Sequence, residues 1–208
     1  MFAWVVIRDD NAAAVQAALA RAWQGPASIA RIAIAAHPIL VIVPAGGRAR
    51  RAPHWPDVLG DWQEINEEPL FPNAEQPVLA EEVSGLGLPA LCAHAGPGFA
   101  TGSVAWYERG ALISYEHVGS SSVAWDPDDG LGRPFDGTAA SIAALGGKRV
   151  AKLFGSDATV DVLERQQLAN RAVGGVLLRR AFHRMLAAAP PDLDDLAGMV
   201  ATAPTLSL

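Results

Sequence analysis

The stretch from Ser103 to Gly130, SVAWYERGALISYEHVGSSSVAWDPDDG, constrains the fold more than any other part of the chain. Runs of strand-forming residues alternate here with short polar turns, which is typical of β-hairpins. Arg109-Gly110 predicts the first turn, and the polar residues 119–121 predict the second. The stretch therefore predicts a three-stranded antiparallel meander over about residues 101–126.

The register of this meander determines which of its side chains are buried. The first turn pairs Trp106 with Ile113 and Val104 with Tyr115. The second loop has room for two or three residues, and the choice reverses the facing of every side chain on the third strand. A three-residue loop gives one consistent apolar face, so we expect that loop. Six side chains would then share a face and be buried there: Val104, Trp106, Ile113, Tyr115, Val123 and Trp125.

The opening of the chain predicts the element order β-α-β-β. Residues 2–8 form an apolar run that is too short for a helix and suits a buried strand. Asp10 or Asn11 suits the N-cap of a helix that ends before a Gly-Pro pair. The following apolar tract divides at the AHP triplet into two strands, residues 29–35 and 39–43.

The middle of the chain is harder to interpret. Residues 45–72 are rich in proline and glycine, so they predict an irregular connection. A helix is expected after a cap at Asn73, with Pro77 in its first turn and Gly85 at its end. The segment LPALCAHA predicts a further strand.

Helical spacing replaces strand patterns after residue 137. Helices are predicted over residues 138–154 and 158–189, and Asp192 caps a short last helix, whereas the final six residues are expected to fray. We therefore expect an α+β fold with a mixed, largely antiparallel sheet that contains the meander. The α+β body would span residues 1–137, and a helical segment, residues 138–208, would pack on it as one compact unit.

Composition restricts the possible functions. The chain has 208 residues, half of them hydrophobic, and a net charge of −6, so we expect no nucleic-acid partner and no membrane partner. Arginine and alanine dominate over lysine as in GC-rich bacterial genomes. The single Cys92 excludes an internal disulfide, and the N-terminal residues lack a signal-peptide pattern. A cytoplasmic bacterial protein is the expectation.

Compact catalytic motifs are absent from the sequence. It contains no GxSxG, HExxH, CxxC or GxxxxGK[ST] pattern, and GPGFATG has the wrong spacing for a phosphate loop. Asp126, Asp128 and Asp129 offer calcium-type oxygen ligands, but their spacing does not match an EF-hand, so a solvated turn is expected. We expect no cofactor and no required metal.

Two groups of residues remain as candidate sites. His94 and His117 lie on predicted strands and would form a catalytic acid-base site if the sheet brought them to Glu116, Ser122 or Asp126. A second group lies in the glycine-rich loop GGRARRAPHW, where arginine and tryptophan are residue types enriched at protein interfaces. This candidate binding group consists of Arg48, Arg50, Arg51, His54 and Trp55.

The sequence leaves three functions open. The first is a non-enzymatic interaction protein, such as an assembly partner, an inhibitor or an immunity-like factor, with a protein partner of unknown identity. The second is a small hydrolase or transferase that uses His94, His117 and the Asp126–Asp129 loop. The third is a small-ligand sensor with a pocket between the sheet and the helices. The lack of catalytic motifs favours the first.

Overall fold

A nine-stranded antiparallel sheet forms the centre of the computed structural model. The structure describes residues 2–9, 11–34, 36–67, 69–71, 76–96, 102–118, 123–132, 177–178, 181–186 and 193–207. In the first half of the chain the elements are β1 (Phe2–Ile7), α1 (Ala12–Ala22), β2 (Trp23–Gln24), β3 (Ala27–Ile34), β4 (His37–Pro44), β5 (Arg48–Ala49), α2 (Asp57–Asn66) and α3 (Gln76–Ser84).

The second half supplies the meander and the C-terminal elements. They are β6 (Ala90–Ala95), β7 (Gly102–Glu108), β8 (Ala111–Val118), β9 (Val123–Asp126), β10 (Gly130–Gly132), α4 (Leu193–Thr202) and β11 (Thr205–Ser207). Residues 177–178 and 181–186 are also helical, and we call them the Phe182 segment. The strand order is β10-β9-β8-β7-β6-β1-β4-β3-β11, and all the described pairs are antiparallel. The predicted α+β fold with a largely antiparallel sheet is confirmed.

The predicted β-α-β-β opening is confirmed, with the short β2 added after α1. Asn11 caps α1 as expected, because its side-chain oxygen accepts a hydrogen bond of 3.2 Å from the backbone N–H of Ala14. β1 lies in the middle of the sheet, between β4 and β6. Val5, Val6 and Ile7 are therefore buried on both faces, which explains the unbroken apolar run.

The irregular connection predicted over residues 45–72 is wrong in two places. β5 pairs with β2, and α2 occupies ten residues of the segment. Pro56 sits at the N-cap, where its missing N–H costs nothing, and Glu67 ends the helix in the left-handed region at φ 51°. Leu59 and Trp62, three residues apart, place the apolar side of α2 against the sheet.

The β2–β5 pair depends on two glycines in contact. A Cβ atom on Gly25 would lie 2.5 Å from the Cα of Gly47, and a Cβ on Gly47 would lie 2.6 Å from the carbonyl oxygen of Gln24. Both glycines also have positive φ, at 137° and 110°, which other residues rarely adopt. The close approach of β2 and β5 therefore requires glycine at both positions.

The meander exists as predicted, and the pairing of Tyr115 with Trp125 in its second hairpin is the register expected for a three-residue loop. The register of the first hairpin differs from the prediction. Arg109 and Gly110 form the turn, with φ of 52° and 80°. A β-bulge then places Trp106 opposite Ser114 rather than Ile113, so Ala105 rather than Val104 pairs with Tyr115. The loop residues 119–121 lie outside the described residues.

This bulge divides the six apolar side chains between two cores. Three pack on one face of the sheet and three on the other, so the prediction of one shared face is wrong. The predicted burial of Trp106 and Trp125 is confirmed, at 7% and 9% exposure. On the face covered by the Phe182 segment and α4 lie Val104, Trp106 and Ile113; on the face covered by α1–α3 lie Tyr115, Val123 and Trp125.

The sheet therefore separates two helical layers, which we call the α1–α3 face and the C-terminal face. The C-terminal face buries Leu178, Phe182 and Leu186 of the Phe182 segment, and Leu196 of α4. Most of the predicted helices over residues 138–154 and 158–189 lie outside the described residues. The expected division at residue 137 remains a prediction.

The C-terminus is not frayed as the sequence suggested. The last helix spans Leu193–Thr202, close to its predicted bounds, and Thr205–Ser207 then pairs with Ala30, Ile29 and Ser28 as β11. Alternating threonine, leucine and serine can join a sheet edge when the backbone N–H and C=O groups of β3 are otherwise unpaired. The chain end thus covers one edge of the sheet.

Candidate functional site

His94, Ser103 and His117 form a row across three neighbouring strands. Ser103 of β7 pairs with His94 of β6 on one side and with His117 of β8 on the other. Paired residues in antiparallel strands face the same side, and this row faces α1–α3. Ser103 Oγ and His117 Nδ1 share a hydrogen bond of 2.8 Å, and the ring of Trp62 contacts the His117 ring edge-on at 5.8 Å.

Burial determines the protonation of His94. Loss of hydration disfavours the charged imidazolium, and the nearby His117 disfavours it further, so the pKa of His94 falls from 6.5 to about 4. His94 is therefore neutral at pH 7. A neutral ring beside Ser103 is a requirement for a general base, although it equally suits a hydrogen-bonded residue of the core.

The Ser103–His117 distance is short enough for His117 to activate Ser103 as a nucleophile. Burial, however, closes Ser103 to a substrate. Ser103 is fully buried and His117 nearly so, with Trp62 of α2 packed over the ring. A substrate has no visible route to Ser103 in the described residues. We interpret the row as a polar layer that α2 seals, and sequence reasoning missed Ser103 because no motif surrounds it.

Of the partners predicted for the two histidines, the structure brings neither Glu116 nor Asp126 to them. Glu116 faces the opposite side of the sheet, and Ser122 lies outside the described residues. Asp126 closes its own turn, because its Oδ1 accepts hydrogen bonds of 2.9 and 2.7 Å from the backbone N–H groups of Asp128 and Asp129.

That turn has the form expected from DPDDG. Asp128 and Asp129 are exposed to solvent. Across the part of the chain that the structure describes, no three His, Cys, Asp or Glu side chains are placed to hold a metal ion. Cys92 is fully buried, which raises the pKa of its thiol and leaves it unreactive.

The predicted binding loop, residues 48–55, is partly turned inward. Glu81 of α3 is buried, with 3% of its side chain exposed, and Arg51 Nη1 donates to its Oε2. The backbone N–H of His54 donates to Glu81 Oε1 at 2.8 Å. The loop thus supplies the hydrogen bonds that a buried carboxylate requires.

The Trp55 side chain also packs inside the protein. Its ring stacks on Phe71 with centroids 6.2 Å apart and meets Tyr115 edge-on at 5.7 Å. Arg48 and Arg50 stay exposed, and Arg48 reaches Gln24 at 3.5 Å. The side chains of Arg48, Arg50 and His54 therefore face solvent, Arg51 is partly exposed at 37%, and Trp55 is the member of the predicted binding group that packs inside the protein.

A different exposed surface lies on α2. Val58 and Ile65, seven residues apart, fall on the same side of the helix, and their side chains are 37% and 81% exposed. Exposed acidic residues surround them, and the sequence of α2 contains no basic residue. We define the α2 surface as Asp57, Val58, Asp61, Glu64, Ile65 and Glu67.

The α2 surface continues onto the end of the sheet. α2 packs beside β10, whose Leu131 is 41% exposed and faces the α2 side because it pairs with Trp125. Asp128 and Asp129 lie in the adjoining turn. Sequence reasoning missed this surface because residues 45–72 were interpreted as irregular, although the spacing of Val58 and Ile65 was a usable signal.

A cavity of about 210 Å³ lies on the opposite side of the sheet, between β6–β8 and the Phe182 segment. Its apolar wall includes Leu91, Val104 and Leu177. Arg184 and Glu116 add opposite charges to the lining. This location matches the pocket between sheet and helices that a ligand sensor would use.

Comparison with known proteins gives no guide to the function, since no family model, no curated protein and no solved structure matches the chain. Among the helices of the described residues, none has the length and apolar character needed to cross a bilayer.

Proposed function

We propose that this chain is a non-enzymatic interaction protein of the bacterial cytoplasm that binds a partner protein through the α2 surface. One observation carries the proposal. Ile65 is a large aliphatic residue with 81% of its surface exposed, on a helix whose adjoining side packs in the core through Leu59 and Trp62. An exposed aliphatic group of this kind contributes to stability only when a partner covers it.

Charge defines the chemistry of the partner. Four carboxylates of the α2 surface and those of Asp128 and Asp129 surround the apolar residues. Opposite charge around an apolar centre increases the association rate and fixes the orientation of the partner. The partner would therefore present a basic amphipathic segment, with aliphatic side chains that meet Ile65 and Leu131.

Site-specific crosslinking tests this proposal. A photoreactive amino acid replaces Ile65 in one variant and Leu86 in a matched control, because Leu86 is exposed to 41% but lies outside the α2 surface. Both variants are expressed in the native host and irradiated. The position-65 variant should form one discrete adduct, and mass spectrometry should place the contact in a basic amphipathic segment of the partner.

Two results would reject the proposal. Equal adduct patterns from positions 65 and 86 would mean that the surface is merely exposed. A specific adduct whose contact segment is acidic would contradict the charge argument. Raising the salt concentration before irradiation should reduce the position-65 adduct, because exposed charges are screened within about 8 Å at physiological ionic strength.

A second candidate function, a small hydrolase, rests on the Ser103–His117 hydrogen bond of 2.8 Å. This candidate requires α2 to move away from the row, because Trp62 covers His117. A fluorophosphonate probe tests it, since such probes label activated serines. Labelling of the wild type that is lost in Ser103→Ala would establish the hydrolase; the absence of labelling supports a structural role for the row.

A further inference from the structure

The two end strands of the sheet differ in their protection against pairing with another strand. β10 follows a turn that carries the carboxylates of Asp128 and Asp129, and α2 packs beside it. At the other end, β11 has β3 on one side and no strand on its outer side among the described residues. Residues 196–208 contain no charged residue. Charged side chains are one device that keeps an exposed strand from pairing, and β11 lacks it.

The pairing of β11 with β3 determines which backbone groups point outward. The carbonyl oxygen of Pro204 accepts a hydrogen bond of 3.3 Å from the backbone N–H of Arg31 on β3. Successive residues of a strand direct their N–H and C=O groups to alternate sides. Leu206, two residues on, therefore directs its groups to β3. Thr205 and Ser207 direct theirs outward and lie symmetrically about Leu206.

The Leu206 side chain adds an apolar contact at this edge. It is 46% exposed, and it lies on the α1–α3 face because Leu206 pairs with the buried Ile29. A groove of about 290 Å³ adjoins it, with Ile29 and Leu40 in its lining, which is apolar except for Arg31 and Thr205. A second aliphatic side chain beside Leu206 would remove apolar surface from water and stabilise the contact.

From these observations we infer that β11 pairs with β11 of a second copy of this chain, about a two-fold axis at Leu206. In that register Thr205 of each copy lies opposite Ser207 of the other, and the two residues exchange both N–H···O hydrogen bonds. Leu206 lies opposite Leu206 of the second copy as a non-hydrogen-bonded pair, with the two Cα atoms about 4.5 Å apart. The antiparallel sheet then continues from one copy into the other.

Charge and symmetry favour a second copy as the occupant of this edge. The net charge of −6 makes two copies repel each other, so their contact is favoured at a strand that adds no charge. Contact about a two-fold axis uses the same residues on both copies, as in most dimers. β11 and β10 lie at opposite ends of the strand order, so the dimer leaves the α2 surface open and does not depend on the proposed function.

Cysteine crosslinking tests the register. Cys92 is fully buried, so Leu206→Cys places a single cysteine at an exposed position. Cα atoms about 4.5 Å apart can be bridged by a disulfide, whereas those more than about 7 Å apart cannot. Under mild oxidation Leu206→Cys should therefore form a covalent dimer about tenfold or more faster than two controls. Thr205→Cys lies on the same strand but opposite Ser207, and Leu86→Cys is exposed to 41% elsewhere.

Sedimentation equilibrium of the purified full-length protein tests the dimer itself. The wild type should have twice the monomer mass at about 0.1 mM. Thr205→Pro should be a monomer with an unchanged circular dichroism spectrum, because proline removes an outward N–H and leaves the groups that pair with β3. Ile65→Asp should remain a dimer, which separates this contact from the α2 surface.

The inference is overturned if the wild type is a monomer at about 0.1 mM. Equal crosslinking rates at positions 86, 205 and 206 would also overturn it, because they would mean random collisions. A dimer that persists in Thr205→Pro would place the interface on another surface. The crosslinking rates decide the question even if Thr205→Pro fails to fold.

Discussion

The loop of residues 48–55 and helix α2 follow each other in the chain but differ in how they use their side chains. The loop has the residue types of an interface, yet Arg51 and His54 contact the buried Glu81, and Trp55 packs on Phe71. Helix α2 has an ordinary composition, yet it exposes Ile65 to 81%. Whether a surface residue can contact a partner therefore depends on whether its side chain is already held by contacts within its own protein.

Glu81 explains much of this difference. A carboxylate buried to 3% exposure requires hydrogen bonds, and the loop is the segment that reaches it. Below α2 lies the row of His94, Ser103 and His117, and Trp62 of α2 gives this row an apolar cover rather than a cation. Arg51 and Trp55 of the loop are therefore engaged within their own protein, whereas Val58 and Ile65 of α2 remain open to solvent.

The largest expected effect is in Trp55→Ala. The loop should contribute to stability through this ring, which contacts both Phe71 and Tyr115. Its removal should therefore cost about 3 kcal/mol of unfolding free energy. Urea denaturation followed by circular dichroism measures the change. A loss below about 0.5 kcal/mol is the range of an exposed residue and would return Trp55 to the predicted binding group.

Glu81→Ala should lower the unfolding free energy by about 2 kcal/mol, because hydrogen bonds to a buried charged group are lost. The matched control is Glu82→Ala, which removes a more exposed ion pair with Arg21 at 3.1 Å. Such pairs contribute about 0–1 kcal/mol. Equal losses in the two variants would contradict the role given to Glu81.

Acidification should weaken the region beneath α2. The pKa of His94 is about 4 in the folded protein and near 6.5 when unfolded, so the unfolded chain binds the extra proton first. This contribution to stability is complete above about pH 6.5 and is lost as the pH falls toward about 4. The loss should be on the order of 1–2 kcal/mol, since solvent screens part of the shift.

Unfolding curves between pH 7 and pH 4 measure this effect, with His94→Asn as the control. The variant should lose less stability than the wild type over that interval, because the depressed pKa no longer contributes. Identical pH dependence in the two proteins would show that His94 is not held neutral in the fold.

The smallest expected effect on stability is in Ile65→Asp. Ile65 contacts little of its own protein, so the change in unfolding free energy should stay within about 0.5 kcal/mol. Thermal unfolding checks this value. A loss above about 2 kcal/mol would mean that Ile65 is part of the core, and α2 would then offer no free apolar surface.

Much of the fold was predictable because its signals are local. The β-α-β-β opening, the Asn11 cap and the Arg109-Gly110 turn each follow from a short pattern and are confirmed. The β-bulge opposite Trp106 was not predictable, because no special residue type marks it. One extra residue in β8 was enough to move Val104 and Trp106 to the face opposite Tyr115.

The candidate sites were less predictable because they depend on contacts between distant segments. His94 and His117 were identified correctly as strand residues, but their shared neighbour Ser103 emerges only from the register of β6, β7 and β8. The inward turn of Arg51 depends on Glu81, thirty positions away. Alternating hydrophobicity and helix caps depend on residues that are close in sequence. They therefore do not predict contacts between residues as distant as these.

Two charge variants distinguish the proposed contact of the partner with α2 from a contact with the arginine-rich loop. Isothermal titration with the partner, identified by crosslinking and then purified, would measure the affinity of wild type, Ile65→Asp and Arg50→Glu. If the partner binds the α2 surface, Ile65→Asp should weaken binding about tenfold or more, as at an interface hot spot, and Arg50→Glu should change it less than about twofold. A large loss for Arg50→Glu with unchanged binding of Ile65→Asp would contradict the proposed contact with α2.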